Sequence, residues 1–354
     1  MTVIDSTQTE REQISHIIAK DIPSYRDAYS DRTAWLMACF SELAYVKFNP
    51  FPLGDSKQMN VFKKAVEKVI KNEKKKSVVS SLVSTLIYDH SKEEQKLIND
   101  LGLLNYKLVK PFDNEGTQAF IAANDAKKLL VLAFRGTEAT SIRDIKADIN
   151  ARTVPTNNGG KAHKGFTKAY QAVSAEVQDF INQDTYKDYR LFITGHSLGG
   201  ALASMAAKNL YHRGGIAACY TFGSPRVGTI EWTGGLRSSI YRFVNATDCV
   251  TLMPPGGTAV SAIAYLLDSI AFGKGLAKIL RHNFSSYLHC GDMRYLTNCT
   301  TGQYDDVELL PYVGFFWRLM AMIKSGINFS AVFADHSITI YRKKIGIIAV
   351  RHTS

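Results

Sequence analysis

Gly195-His196-Ser197-Leu198-Gly199 has the G-x-S-x-G spacing of a serine placed to attack an acyl carbonyl. A serine at a sharp strand-to-helix turn takes a strained backbone conformation, and flanking glycines relieve the crowding. Such a turn exposes the hydroxyl above the sheet edge. It also aims the start of the next helix, and the Leu198 N–H in particular, at a developing oxyanion. The motif alone arises by chance in roughly one chain in eight of this length, so its surroundings decide. An apolar strand, Leu191 to Thr194, leads into it, and a helix rich in small residues follows: Gly200, Ala201, Ala203, Ser204, Ala206 and Ala207. The competing reading is a glycine-rich turn without chemistry.

A serine nucleophile needs a base to take its proton and an acid to orient that base. In folds with this turn the chain order is serine, acid, histidine. Asp248 follows the strand-like segment SIYRFVNAT and precedes CVTLMPP, which puts a carboxylate just past a strand's C-terminal end. Its plainer reading is a capping or turn aspartate. Downstream lie His282, which follows an arginine, His289 in YLHCGDMRYLT, and His336 in Ala334-Asp335-His336-Ser337. Residue type and order alone leave the three open.

GHSLGGALA, together with Phe134-Arg135-Gly136-Thr137 and His163-Lys164-Gly165-Phe166, resembles the class 3, or fungal-type, lipase family of the α/β-hydrolase superfamily. The resemblance runs from about residue 112 to residue 341, and residues 33–48 resemble the family's N-terminal helix. It implies an α/β-hydrolase fold: a mostly parallel central sheet flanked by helices, with helical cap or lid insertions. It implies hydrolysis of acylglycerols and phospholipids by a Ser-Asp-His triad, with no metal or organic cofactor. Asn245 to Pro255 resembles the family's acid motif, and Asp335-His336 its histidine motif, which gives Ser197, Asp248 and His336. His289 resembles a family segment without a catalytic role. Thr137 would supply a second oxyanion donor through its backbone N–H, and a third through its hydroxyl. FRGT also reads simply as a strand ending in a tight turn. Residues 138–152 stand where the family carries its lid. Ile142, Ile145 and Ile149 fall on one helical face, with Arg143, Asp144, Lys146 and Asp148 around the rest. This stripe lacks the family's large central aromatic, and it reads equally as an ordinary surface helix.

The elements that must hold these residues alternate along the chain. TAWLMACFSELAYVKF, 33–48, has helical apolar spacing. TQAFIAAND and KKLLVLAFRG read as two strands and a turn. GFTKAYQAVSAEVQDFINQ reads as an amphipathic helix and YRLFITG as a strand. ALASMAAKNLYHR is a helix closed by Gly214 and Gly215, and ACYTFGSP and SIYRFVNAT are further strands. Strand–helix alternation predicts a parallel sheet covered on both faces. SITIYRKKIGIIAV, at the C-terminus, reads as a strand pair. The whole is expected to form one α/β-hydrolase domain over 1–354. Its insertions are helical at 57–101, the lid at 138–152, and helical again at 256–333 before His336.

Composition sets outer limits. Hydrophobic residues are 45% and charged residues 21% of the 354, enough for a sizeable core and against global disorder. The net charge is +11, but residues 57–76, with eight Lys and two Glu, supply +6 of it. That run reads first as a solvated helix face. No zinc-finger spacing or basic–aromatic repeat supports a nucleic-acid partner. The cysteines, Cys39, Cys219, Cys249, Cys290 and Cys299, form no C-x-x-C pair, so a metal or redox site is unsupported. They leave room for a single Cys290–Cys299 bridge. The N-terminus is polar and acidic, without the basic start and apolar core of a signal peptide. The longest charge-free run, between Asp248 and Asp268, is broken by Pro254, Pro255, Gly256 and Gly257. The expectation is a chain with no signal peptide or transmembrane helix, cytoplasmic as synthesised, whose export would use a signal-independent route.

The reading is therefore a lipase or esterase that cleaves lipid ester bonds through an acyl-enzyme, with transient contact at a lipid interface. AYLLDSIAFGKGLAKIL and PYVGFFWRLMAMIKSG mix apolar faces with basic residues, which suits an anionic interface as well as added core. Two alternatives stand beside it. One is a phospholipase A-type enzyme acting on anionic membranes, as a delivered effector. The other is a lipase-like binding module without catalysis. Oligomeric state is not legible.

Overall fold

The computed structural model describes residues 3–20, 28–46, 90–136, 153–157, 159–269, 274–275, 277–278, 287–299, 302–324 and 334–352. Its centre is an eight-stranded sheet in the order β1-β2-β3-β6-β7-β9-β11-β12. Five neighbouring strands are parallel: β3 (Leu129–Phe134), β6 (Arg190–His196), β7 (Ile216–Phe222), β9 (Ile240–Asn245) and β11 (Asp292–Leu296). β1 (Lys107–Asn114) and β2 (Thr117–Asn124) extend one edge antiparallel, and β12 (Leu309–Leu310) the other. A second, four-stranded sheet has the order β10-β8-β5-β4 and is built from very short strands. These are β4 (Thr153–Pro155), β5 (Lys161–His163), β8 (Gly228–Thr229) and β10 (Tyr287–Leu288). This is the expected α/β-hydrolase architecture.

The central strands are near-continuous apolar runs because both faces are covered. Alternate residues serve opposite cores, as period-2 geometry requires. Val131, Ala133, Phe192, Tyr220, Phe222, Tyr241 and Phe243 face a core shared with α2 (Asp31–Leu43), where Trp35 and Phe40 are fully buried. Leu130, Leu132, Phe134, Leu191, Ile193, Cys219 and Ile240 face the other core, filled by α4 (Lys164–Ile181) and α5 (Leu198–Asn209). α1 (Gln8–Ala19) and α3 (His90–Leu103) join the first core through Ile14, Ile17, Leu97 and Leu101.

Two expectations are corrected. SITIYRKKIGIIAV is not a strand pair but the helix α9 (Ile338–Arg351). Its buried Ile338, Tyr341, Ile345 and Ile348 recur every three or four residues and join the core that α2 fills. The β-branched residues suggested strands, but burial on one helical face overrides that weak propensity. Cys290 and Cys299 are both free thiols, so the bridge is absent.

The short α6 (Ile230–Thr233) precedes β9, and α7 (Gly257–Asp268) and α8 (Phe315–Lys324) follow it. The span 256–333 thus holds β10, β11 and β12 as well as α7 and α8, and two of those strands belong to the main sheet. In the span 57–101 only α3 is described; residues 57–89 and the lid span through residue 152 lie outside the described residues. No described helix is long and apolar enough to cross a membrane.

Candidate active site

The parallel register aligns the C-terminal ends of the strands. Phe134 pairs with Gly195, His196 with Phe222, and Phe222 with Phe243. Everything that follows β3, β6, β7 and β9 therefore converges on one edge of the sheet, where open α/β sheets place their sites.

Ser197 connects β6 to α5 with φ +58° and ψ −127°. A serine in that conformation costs of order 1–3 kcal/mol and persists only where its surroundings over-determine it. Here the Ser197 N–H donates to the Phe222 carbonyl at 2.9 Å, and the Ser197 carbonyl accepts from Gly200 N–H at 3.0 Å. The end of β3 packs under the turn. A Cβ at Gly199 would lie 2.3 Å from the Phe134 carbonyl oxygen, and one at Gly136 would lie 3.3 Å from Ser197 Cβ. Leu198 opens α5, where the first amides have no intrahelical acceptor. Its N–H is thus free for a ligand oxygen on the helix's positive end.

Asp248 follows β9 and is fully buried. Its carboxylate accepts from Tyr341 Oη at 2.7 Å, from Val250 N–H at 2.9 Å, and from His336 Nδ1 at 2.9 and 3.0 Å. A carboxylate so served is fixed in orientation. Because a carboxylate only accepts, Nδ1 carries the proton, and the lone pair sits on Nε2. His336 Nε2 is buried and has no hydrogen-bond partner among the described residues. An orphaned buried acceptor needs an explanation. Here it is the atom that a general base must keep open.

His196 ties the turn to this pair. Its Nε2 is 2.6 Å from the His336 carbonyl oxygen and its Nδ1 2.8 Å from Tyr45 Oη. A carbonyl only accepts, so Nε2 donates and Nδ1 takes the tyrosine proton. Burial, with His336 beside it, pushes the His196 pKa well below the ordinary histidine value and keeps the ring neutral. The rings of His196 and His336 lie 4.5 Å apart.

Residues 131–257 match the family model for class 3 lipases. The lipase of Rhizomucor miehei is 33% identical over 192 residues, covering 51% of this chain and 50% of that protein. Secreted mono- and diacylglycerol lipase 1 of Fusarium solani is 31% identical over 147 residues, covering 40% and 44%. A solved lipase from Rhizopus microsporus var. chinensis is 26% identical with a TM-score of 0.48, covering 68% of this chain and 76% of that one. Over residues 131–257 this chain is similar to the class 3 lipase family. It spans about half the length of the curated relatives it matches.

In this chain, Ser197, Leu198, Asp248 and His336 lie at one sheet edge, with Asp248 and His336 directly bonded. Thr137 and the lid residues Ile142, Ile145 and Ile149 lie outside the described residues, though Gly136, next to Thr137, abuts the serine. His289 is set apart: its Nε2 donates to the Thr251 carbonyl at 2.6 Å, not to a carboxylate. His282 is outside the described residues. Sequence reasoning missed Tyr341, Tyr45 and the strut made by His196. His196 was the one with a signal, as the first variable position of the motif. No group of three or more His, Cys, Asp or Glu that could hold a metal occurs among the described residues.

Proposed function

We propose that this chain hydrolyses carboxylic ester bonds of lipids, acylglycerols first among them, by acyl transfer to Ser197. The observation that carries this is the Asp248–His336 pair. Its Nδ1 is proton-filled and clamped, while its Nε2 is buried and open, at the same sheet edge as a strained serine turn. His336 Nε2 takes the Ser197 proton as Oγ attacks the acyl carbon. Leu198 N–H and, by family resemblance, Thr137 stabilise the oxyanion, worth about 3–4 kcal/mol for a single donor in comparable sites. His336 then protonates the leaving alcohol, and water admitted to the same base hydrolyses the acyl-enzyme. Asp248 keeps the imidazole in its tautomer and orientation and is not itself protonated.

The substrate class rests on the relatives, which are named lipases and a mono- and diacylglycerol lipase. Contact with a lipid interface is supported by Tyr312, Phe316, Trp317 and Met320, large apolar side chains that α8 and the residue stretch before it leave exposed. Exposed aromatic clusters of this kind mark interaction surfaces.

The test is hydrolysis of triolein emulsion and of phosphatidylglycerol vesicles by the wild-type chain and by Ser197→Ala. Activity on triolein that disappears in the variant is expected. Wild-type activity confined to the vesicles would move the substrate to phospholipids. Activity on neither, with intact folding, would leave a lipase-shaped binding module.

A further inference from the structure

A cavity of about 500 Å³ lies on the far side of the Asp248 loop. Four arginines from four elements line it: Arg226 before β8, Arg242 in the middle of β9, Arg318 in α8, and Arg294 in β11, the last lying over the Tyr29 and Tyr241 rings. Arg242 and Arg318 are each more than nine-tenths buried, at 7% and 4% exposure. Arginine is rarely buried so fully unless it is paired. Yet Arg242 Nε and Nη1 and Arg318 Nε are buried without a hydrogen-bond partner among the described residues.

The nearby acids do not answer this charge. Asp248 helps Arg318 electrostatically, but its oxygens are taken by His336, Tyr341 and Val250. Asp292, also in the lining, is exposed. Arg226 spends Nη1 on the Pro254 carbonyl at 2.7 Å, and Arg318 spends Nη2 on Thr251 Oγ1. His289, also in the lining, is held neutral by burial and by Arg242. Burial, then mutual repulsion with the neighbouring guanidiniums, brings Arg226 and Arg242 each down to about 10. They stay protonated at neutral pH, so the cavity is lined by four like charges, and three buried donors on Arg242 and Arg318 have no partner among the described residues. An uncompensated buried charge costs several kcal/mol, and a bound anion is the direct remedy.

We propose that this cavity is an anion site that takes a phosphate group. A phosphate monoester, dianionic with three terminal oxygens, offers enough acceptors for the Arg226, Arg242 and Arg318 guanidiniums approaching from three elements, which a monoanionic, planar carboxylate does not. The group reaches the cavity either as the phosphomonoester headgroup of phosphatidic acid or as a soluble phosphate monoester. α8, which supplies Arg318, also exposes Phe316, Trp317 and Met320, so the cavity borders the surface best suited to a lipid. The site is separate from the serine chemistry and stands whether or not Ser197 hydrolyses esters.

The experiment is thermal unfolding of the full chain in inorganic phosphate against chloride at equal ionic strength, for wild type, Arg242→Gln and Arg226→Gln. Phosphate at about ten times its dissociation constant should raise the wild-type melting temperature by about 2 °C. Both variants should lose that response, and Arg226→Gln carries the test if Arg242→Gln does not fold. A wild type indifferent to phosphate, or variants that respond as it does, overturns the proposal. A second arm measures sedimentation with phosphatidic acid or phosphatidylcholine vesicles, in a Ser197→Ala background so that no lipid is consumed. Binding to phosphatidic acid that falls in Arg242→Gln assigns the site to a headgroup. Unchanged vesicle binding, with the phosphate response intact in the parent, assigns it to a soluble phosphate ester.

Discussion

Asp248 does its work through three hydrogen-bond donors: Tyr341 Oη, Val250 N–H and His336 Nδ1, the last shared between both carboxylate oxygens. Asp248→Asn keeps the shape but offers an amide that donates to Nδ1, which would turn His336 to the wrong tautomer. It should lower kcat about 10⁴-fold with little change in KM, as steady-state ester hydrolysis would measure. Tyr341→Phe removes one donor to Asp248 and leaves Val250 N–H and His336 Nδ1. A neutral donor to a charged acceptor is worth roughly 1.5–3 kcal/mol, so kcat should drop by about tenfold to a hundredfold, with the same pH optimum. The triad was legible because the serine carries a dense local motif, and because chain order plus family resemblance chose among three histidines. Tyr341 was not. It reaches Asp248 across 93 residues of sequence, and in SITIYRKK a tyrosine reads as one more apolar residue.

The same C-terminal stretch makes the lesson at the scale of elements. Ile338, Thr339 and Ile340 open it with β-branched residues, and the local reading was strand. What decides is the face that buries Ile338, Tyr341, Ile345 and Ile348 in the α2 core, which only a helix presents together. Ile345→Ala should destabilise the chain by about 2–5 kcal/mol, read from the denaturant midpoint. Since α9 directly follows His336 and carries Tyr341, partial loss of that packing should also cut activity before global unfolding. The central strands β3, β6, β7 and β9 were legible as short apolar runs between turns. The small sheet of β4, β5, β8 and β10 was not, because strands of two or three residues have too few side chains to show a period.

Across the whole molecule, the first and last helices are joined by charge. Arg342 in α9 lies between Glu10 in α1, at 2.8 Å, and Glu42 in α2. Burial raises the Glu10 pKa, but the Ser6 hydroxyl and Arg342 outweigh it and hold the carboxyl at about 2. A carboxyl depressed on folding stabilises the native state above its unfolded value of 4.5 and loses that contribution as pH falls through about 2. Melting temperature should therefore decline between those two pH values. Glu10→Gln should melt lower than wild type at neutral pH and show a shallower decline across that window. Such a long-range tie is invisible to composition, since the glutamate and arginine are 332 residues apart.

The central claim is that Ser197 is an activated nucleophile, and covalent labelling tests it without assuming a substrate. A fluorophosphonate probe incubated with the folded chain should attach at one site, and peptide mass mapping should place it on Ser197. Labelling should vanish in Ser197→Ala, which should unfold at a temperature close to wild type. A folded wild-type chain that takes no label, or takes it on another residue, would contradict the account.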